Sequence, residues 1–160
     1  MKCMIAVLLC KLLVFVGRLV GKGTSLPGKI VLKLFPDILK RIKLPETVIA
    51  VTGSNGKTST VEMIANVMAD CGKSVAWNKE GSNQIEGVTT LLLKSCTLGG
   101  RVKVDAVVLE SDERYASRTF SYFTPTHFAI VNLYRDQLTR NAHPEWVFDA
   151  IKEKDFYKIG

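Results

Sequence analysis

Residues able to do chemistry concentrate in one string of the 160-residue chain, Thr52-Gly53-Ser54-Asn55-Gly56-Lys57-Thr58. It follows a β-branched run, Thr47-Val48-Ile49-Ala50-Val51, and precedes Val61, Ile64, Ala65, Val67 and Met68, which keep helical spacing. A glycine-rich turn between a strand and a helix aims several backbone N–H groups and the positive helix end at one point. Such a point suits a polyphosphate. Lys57 adds a flexible full charge for β- and γ-phosphates, and the Thr58 hydroxyl is placed to ligate Mg²⁺. The usual Gly-x-x-x-x-Gly-Lys-[Ser/Thr] spacing is not met, because Val51 stands where its first glycine belongs. The loop is a shorter Gly-x-x-Gly-Lys-Thr variant, and its place between strand and helix distinguishes it from a structural turn.

The elements that must hold this loop alternate along the chain. Strands are predicted at Thr47–Val51, Ser74–Trp77, Ala106–Leu109 and Phe128–Val131. Helices are predicted from Lys57 to a terminating Gly72, over Ile85–Lys94, and after Pro144, where Trp146, Val147, Phe148 and Ile151 follow. That rhythm implies right-handed crossovers and a parallel sheet, an α/β domain of the P-loop type over residues 46–160. No internal repeat is visible. Cys3, Cys10, Cys71 and Cys96 contain no C-x-x-C pair and have no nearby His. They read as reduced thiols of a cytoplasmic protein, without a zinc site or a disulfide framework.

Charge separates the chain into two parts. The formal net charge is +7, from 22 Lys+Arg against 15 Asp+Glu. Residues 1–45 carry nine bases (Lys2, Lys11, Arg18, Lys22, Lys29, Lys33, Lys40, Arg41, Lys43) and one acid (Asp37), a net of +8. The remaining 115 residues net −1, which argues against a nucleic-acid partner read by a basic face across the whole fold. An apolar content of 47% excludes disorder as the main state. Residues 1–45 form a basic helical N-terminal arm. Within it, apolar residues 5, 8, 9, 12, 13, 16, 19 and 20 trace an amphipathic helix, packed on the body or lying on a membrane surface. Its longest uncharged run, Cys3–Cys10, is too short for a bilayer span of about 20 residues. A secretory leader also starts with a base and an apolar run, but Lys11 interrupts this one and no convincing cleavage site follows. Gly21–Gly28 reads as a linker. Lys29–Ile42 reads as a second helical stretch broken at Pro36-Asp37, and Lys43-Leu44-Pro45 closes the arm.

Thr52-Gly53-Ser54-Asn55-Gly56-Lys57-Thr58 resembles the T-G-[TS]-N-G-K-[ST] loop of the Mur ligase family, ATP-dependent amide-forming enzymes of peptidoglycan assembly. Folylpolyglutamate synthetases share that superfamily but place a small residue between the loop Lys and the hydroxyl residue, which this chain does not. Asn78-Lys79-Glu80-Gly81-Ser82-Asn83, Leu109-Glu110-Ser111-Asp112-Glu113 and Asn132-Leu133-Tyr134-Arg135-Asp136-Gln137-Leu138-Thr139-Arg140 resemble strings of the family's MurT-type branch, the ligase-like subunits of lipid II isoglutaminyl synthase. Ser25-Leu26-Pro27-Gly28-Lys29 is similar to that branch's arm. Gln137 stands where most Mur ligases carry a metal-binding His, as the branch has it. Thr139 and His143-Pro144 depart from the branch.

The resemblance implies an ATP-binding set of Gly53, Ser54, Asn55, Gly56, Lys57, Thr58, Ser59 and Asn83. It implies catalytic roles for Lys57 and Glu110, and Mg²⁺ held by Thr58 and Glu110. Glu110 ends a buried strand, at the edge of an α/β sheet where ligands bind; a solvated surface acid is the plain alternative. Asn83 is otherwise a turn asparagine, and His143 a helix-start residue. Asp112, Glu113 and Arg135 are assigned no chemistry. The implied reaction moves the γ-phosphate of ATP to a stem-peptide D-glutamate carboxylate of lipid II, and an amine or ammonia then attacks the acyl phosphate. Implied partners are the lipid-linked precursor, a GatD-like glutamine amidotransferase subunit and an anionic membrane touched peripherally by residues 1–20 on its cytoplasmic face. Family members continue through a zinc ribbon and a C-terminal domain, so the chain reads as an incomplete central domain. A P-loop ATPase or GTPase switch, a Mur-like ligase for a cofactor-precursor carboxylate, and a non-catalytic membrane-associated protein are the competing readings.

Overall fold

The structure is a computed structural model that describes residues 2–19, 25–78, 84–112 and 119–132. Four strands, β1 (Thr47–Thr52), β2 (Val75–Trp77), β3 (Ala106–Glu110) and β4 (His127–Ile130), form one parallel sheet in the order β2-β3-β1-β4. The expected parallel α/β sheet is therefore present, with each of these strands within a residue or two of its expected bounds. The predicted helix after Pro144 lies outside the described residues.

Alternation along the strands sorts two cores. Val48 and Ala50 of β1, Val107 and Leu109 of β3, and Ala76 of β2 face a large cluster shared with helices α1 (Lys2–Leu19), α2 (Ser25–Leu34) and α4 (Ile85–Ser95). On the other face, Val51 and Val108, flanked by Ile49, Val75, Trp77 and Ala129, meet Val61, Ile64 and Met68 of α3 (Lys57–Asp70). Continuously buried strands such as β3 read as unbroken apolar runs because helices cover both faces of the sheet.

The arm contributes directly to the larger cluster. Ala6, Val7 and Cys10 of α1, and Val31 of α2, are fully buried there, joined by Ile38 and Leu39 of a short 3₁₀ turn, Ile38–Lys40. The packed alternative for α1 thus describes one of its faces.

Residues 25–28 correct the linker reading. Ser25–Leu34 is helical, with Pro27 in the first turn, where a helix does not need its amide. Gly28 is the contact point of α2 with α4. Its N–H donates to Thr90 Oγ1 at 2.8 Å, and a Cβ built on it would overlap the Glu86 carbonyl oxygen. Pro and Gly, which read as linker by composition, here serve a helix start and a close helix crossing. The break at Pro36-Asp37 falls between α2 and the 3₁₀ turn, as expected.

Candidate functional site

The C-terminal ends of β1, β3 and β4 lie side by side, with Val51 opposite Glu110 and Thr52 opposite Ile130. β1 sits between β3 and β4, so the chain crosses from one side of β1 to the other. Beyond the strand ends of an α/β sheet, that crossing is where a crevice opens. The loop Gly53–Gly56 leaves β1 there and enters α3 at Lys57. Gly56 (φ 80°) is the N-cap residue and supplies no side-chain hydrogen bond to the helix. The start of α3 thus presents backbone amides and the positive dipole end toward the crevice.

Two asparagines set the geometry. Asn132, just after β4, grips the loop apex: its Oδ1 accepts from Asn55 N–H at 3.0 Å and its Nδ2 donates to the Asn55 carbonyl at 2.9 Å. Its own carbonyl accepts from Ser54 N–H at 3.2 Å. Gly53 adopts φ 142°, and a Cβ there would sit 2.9 Å from the Asn132 carbonyl oxygen, so both backbone angle and space call for glycine. Asn78, immediately past β2, grips Glu110. Its Nδ2 donates to the Glu110 carbonyl at 3.0 Å, and its Oδ1 accepts from Glu110 N–H at 2.7 Å, both buried. The amide imitates a peptide group and extends the β2–β3 ladder by one rung.

Glu110 shares the sheet face of Val108, toward α3, and there Thr58 Oγ1 donates to Glu110 Oε2 at 2.8 Å. The residue is only 5% exposed. The Lys57 ammonium folds back to donate to the Gly53 carbonyl. Gly53 is buried, Ser54 and Lys57 are half-buried, and Asn55, Gly56, Thr58 and Ser59 are exposed at the mouth. Beneath them the Thr52 hydroxyl is buried without a hydrogen-bond partner among the described residues. Asn83, Glu113, Arg135, Gln137 and His143 lie outside the described residues. Asp112 is half-buried just past Glu110.

The oxygen pair Thr58 Oγ1 and Glu110 Oε2 suits a small hard cation. Mg²⁺ with oxygens at about 2.0–2.1 Å keeps neighbouring ligands roughly 3 Å apart and is usually held by one or two carboxylates beside phosphates and water. Among the described residues no group of three or more His, Cys, Asp or Glu converges as a protein-only metal cage. The donor set is thus of the kind completed by a phosphate.

Among the described residues, three titratable groups away from this mouth have displaced pKa values. Burial pushes the Cys10 thiol up to about 11 and the Cys96 thiol up to about 12, so both sit inert in the packing between helices. Hydrogen bonds from Ser74 hold the exposed Asp105 carboxyl below its usual range at the opposite edge of the sheet.

A parallel sheet with a Gly-x-x-Gly-Lys-Thr loop at its crossing point, and a carboxylate against the loop's hydroxyl, defines an α/β domain of the phosphate-loop class. The chain belongs to the Mur ligase family: the profile of the Mur ligase middle domain matches residues 51–153. It is 37% identical over 128 residues to the lipid II isoglutaminyl synthase (glutamine-hydrolyzing) subunit MurT of Streptococcus pneumoniae, a match covering 79% of this chain and 28% of that protein. To the MurT subunit of Staphylococcus aureus (strain COL) it is 32% identical over 150 residues, covering 92% and 33% respectively. The chain therefore spans about a third of the length of these curated relatives or less. Among solved structures, MurF of Acinetobacter baumannii matches with a TM-score of 0.59 at 21% identity over 76% of this chain and 26% of that one, a likeness of fold alone.

Asn78 and Asn132 were legible only as letters of family-like strings. Their roles depend on where β2 and β4 end in space, and no spacing rule in the sequence carries that.

Proposed function

We propose that this chain is the ATP-binding part of a Mur-type, ATP-dependent carbon–nitrogen ligase that activates a D-glutamate carboxylate of the lipid II stem peptide for amidation. The observation that carries the reading is the Thr58–Glu110 contact at the mouth of the loop, an oxygen pair in place to share a cation with a nucleotide phosphate. Lys57 and the amides of Gly53–Ser59 bind and orient the triphosphate, with Lys57 neutralising charge that builds on the transferred group. Thr58 and Glu110 would hold Mg²⁺, whose charge would offset negative charge on the phosphates. Asn78 and Asn132 fix the two halves of the site before nucleotide arrives. The γ-phosphoryl group passes to the carboxylate, ADP leaves, and ammonia displaces phosphate from the acyl phosphate to give the amide.

The MurT names of two relatives support lipid II as the substrate and a GatD-like glutamine amidotransferase subunit as the ammonia source. On this reading the protein works at the cytoplasmic face of the membrane, without nucleic acid as a partner. Lys57→Ala tests the assignment by calorimetry with Mg·ATP. Losing one charge-assisted contact to phosphate should weaken affinity about 10- to 100-fold; unchanged affinity would overturn the nucleotide site.

A further inference from the structure

Helix α1 is apolar on both sides, and only one side is covered. Ala6, Val7 and Cys10 face the core, whereas Met4, Ile5, Leu8, Leu12, Phe15 and Val16 are between 43% and 63% exposed. At about 100° per residue these six occupy one contiguous arc of roughly a third of the helix circumference. The arc is bordered by bases: Lys11 and Arg18 fall along one margin and Lys2 along the other, all exposed, and α1 contains no acid. A contiguous apolar face of this size on a folded domain marks an interaction surface. No helix among the described residues is long and apolar enough to cross a membrane.

We propose that this face of α1 lies in the interface of an anionic lipid bilayer, parallel to its plane, with the domain held on the other side of the helix. Aliphatic and phenyl groups flanked on both margins by long cationic chains match acyl chains beneath phosphate headgroups, where Lys and Arg reach outward to the charge. The wider arm strengthens the complementarity, since residues 1–45 hold nine bases against Asp37 alone. This makes specific the peripheral contact that a lipid-linked substrate would need, yet it rests on α1 alone.

The test is cosedimentation of the full chain with vesicles of phosphatidylcholine containing phosphatidylglycerol, compared with phosphatidylcholine alone. The expected result is partitioning onto the anionic vesicles that falls as salt rises, and a loss of about 100-fold in Leu12→Ser/Phe15→Ser. The thermal melt of that variant should stay cooperative, because neither side chain is in the core. Lys11→Glu/Arg18→Glu should lose the preference for anionic lipid. Absence of binding to anionic vesicles, equal binding by the Leu12→Ser/Phe15→Ser variant, or a change in self-association with no vesicle binding overturns the proposal. Mg·ATP affinity is measured on the same samples, so failure of the ligase reading is seen separately.

Discussion

Replacing Asn78 by Ala should loosen the site and the fold together, in amounts that the structure sets. The side chain makes two buried hydrogen bonds to the backbone of one residue, to the N–H of Glu110 at 2.7 Å and to its C=O at 3.0 Å, and Asn78 is 5% exposed. Truncation leaves the N–H and C=O of Glu110 without partners in a place water does not easily reach. An unsatisfied buried group costs about 1–3 kcal/mol, and partial relaxation at the sheet edge lowers the sum for two, so a loss of roughly 2–4 kcal/mol is expected. Urea unfolding followed by circular dichroism measures it, with an unchanged m-value showing that the native state keeps its extent. The same change frees the backbone that carries Glu110, so the dependence of ATP affinity on Mg²⁺ should weaken. Glu110→Gln separates the two effects: it keeps the Asn78 bonds and an acceptor for Thr58 but removes the charge. It should blunt the Mg²⁺ dependence while leaving the urea midpoint nearly unmoved. If Asn78→Ala unfolds at the wild-type midpoint and binds Mg·ATP normally, the clamp does not position Glu110.

Two further outcomes concern the arm and the thiols. Gly28→Ala should cost about 1–3 kcal/mol, because its methyl group would overlap backbone of α4 rather than only a movable side chain; a melting temperature equal to wild type would refute the close crossing. Unfolded thiols titrate near 9.0, whereas Cys10 and Cys96 do so at about 11 and 12 in the fold, so the native state holds more protons above pH 9. Their contribution to stability is complete below pH 9 and is lost as pH rises through about 11 and 12. Accordingly Cys71, exposed at the end of α3, should react first with a thiol reagent at pH 8, while fast labelling of Cys10 or Cys96 in folded protein would contradict the packing.

Sequence reasoning reached the sheet because its two central strands, β1 and β3, are short apolar runs with β-branched residues and helices on both faces, and such runs are local signals. It also named Thr58 and Glu110 together, and the Thr58 hydroxyl donates to the Glu110 carboxylate at 2.8 Å. It misread residues 25–28 because Pro and Gly signal a break only when tertiary contacts are silent. Here α4 comes close enough that only glycine fits, and that demand is written 58 residues away, at Glu86. The asparagine clamps were hidden for the same reason. An amide side chain gives no periodic signal, and its meaning depends on which carbonyl and N–H another strand leaves within reach.

The grip of Asn132 on Asn55 spans 77 positions of sequence. During synthesis, β1, the loop and α3 leave the ribosome long before β4 does, and until residue 132 arrives the loop apex lacks the amide that shapes it. The cradle is therefore a late product of folding, assembled when the last described strand docks beside β1 and not when its own residues are made. A nascent chain with the complete Gly-x-x-Gly-Lys-Thr string but without β4 should hold the loop unshaped, so this domain would acquire its ligand only after its sheet has closed around the switch point.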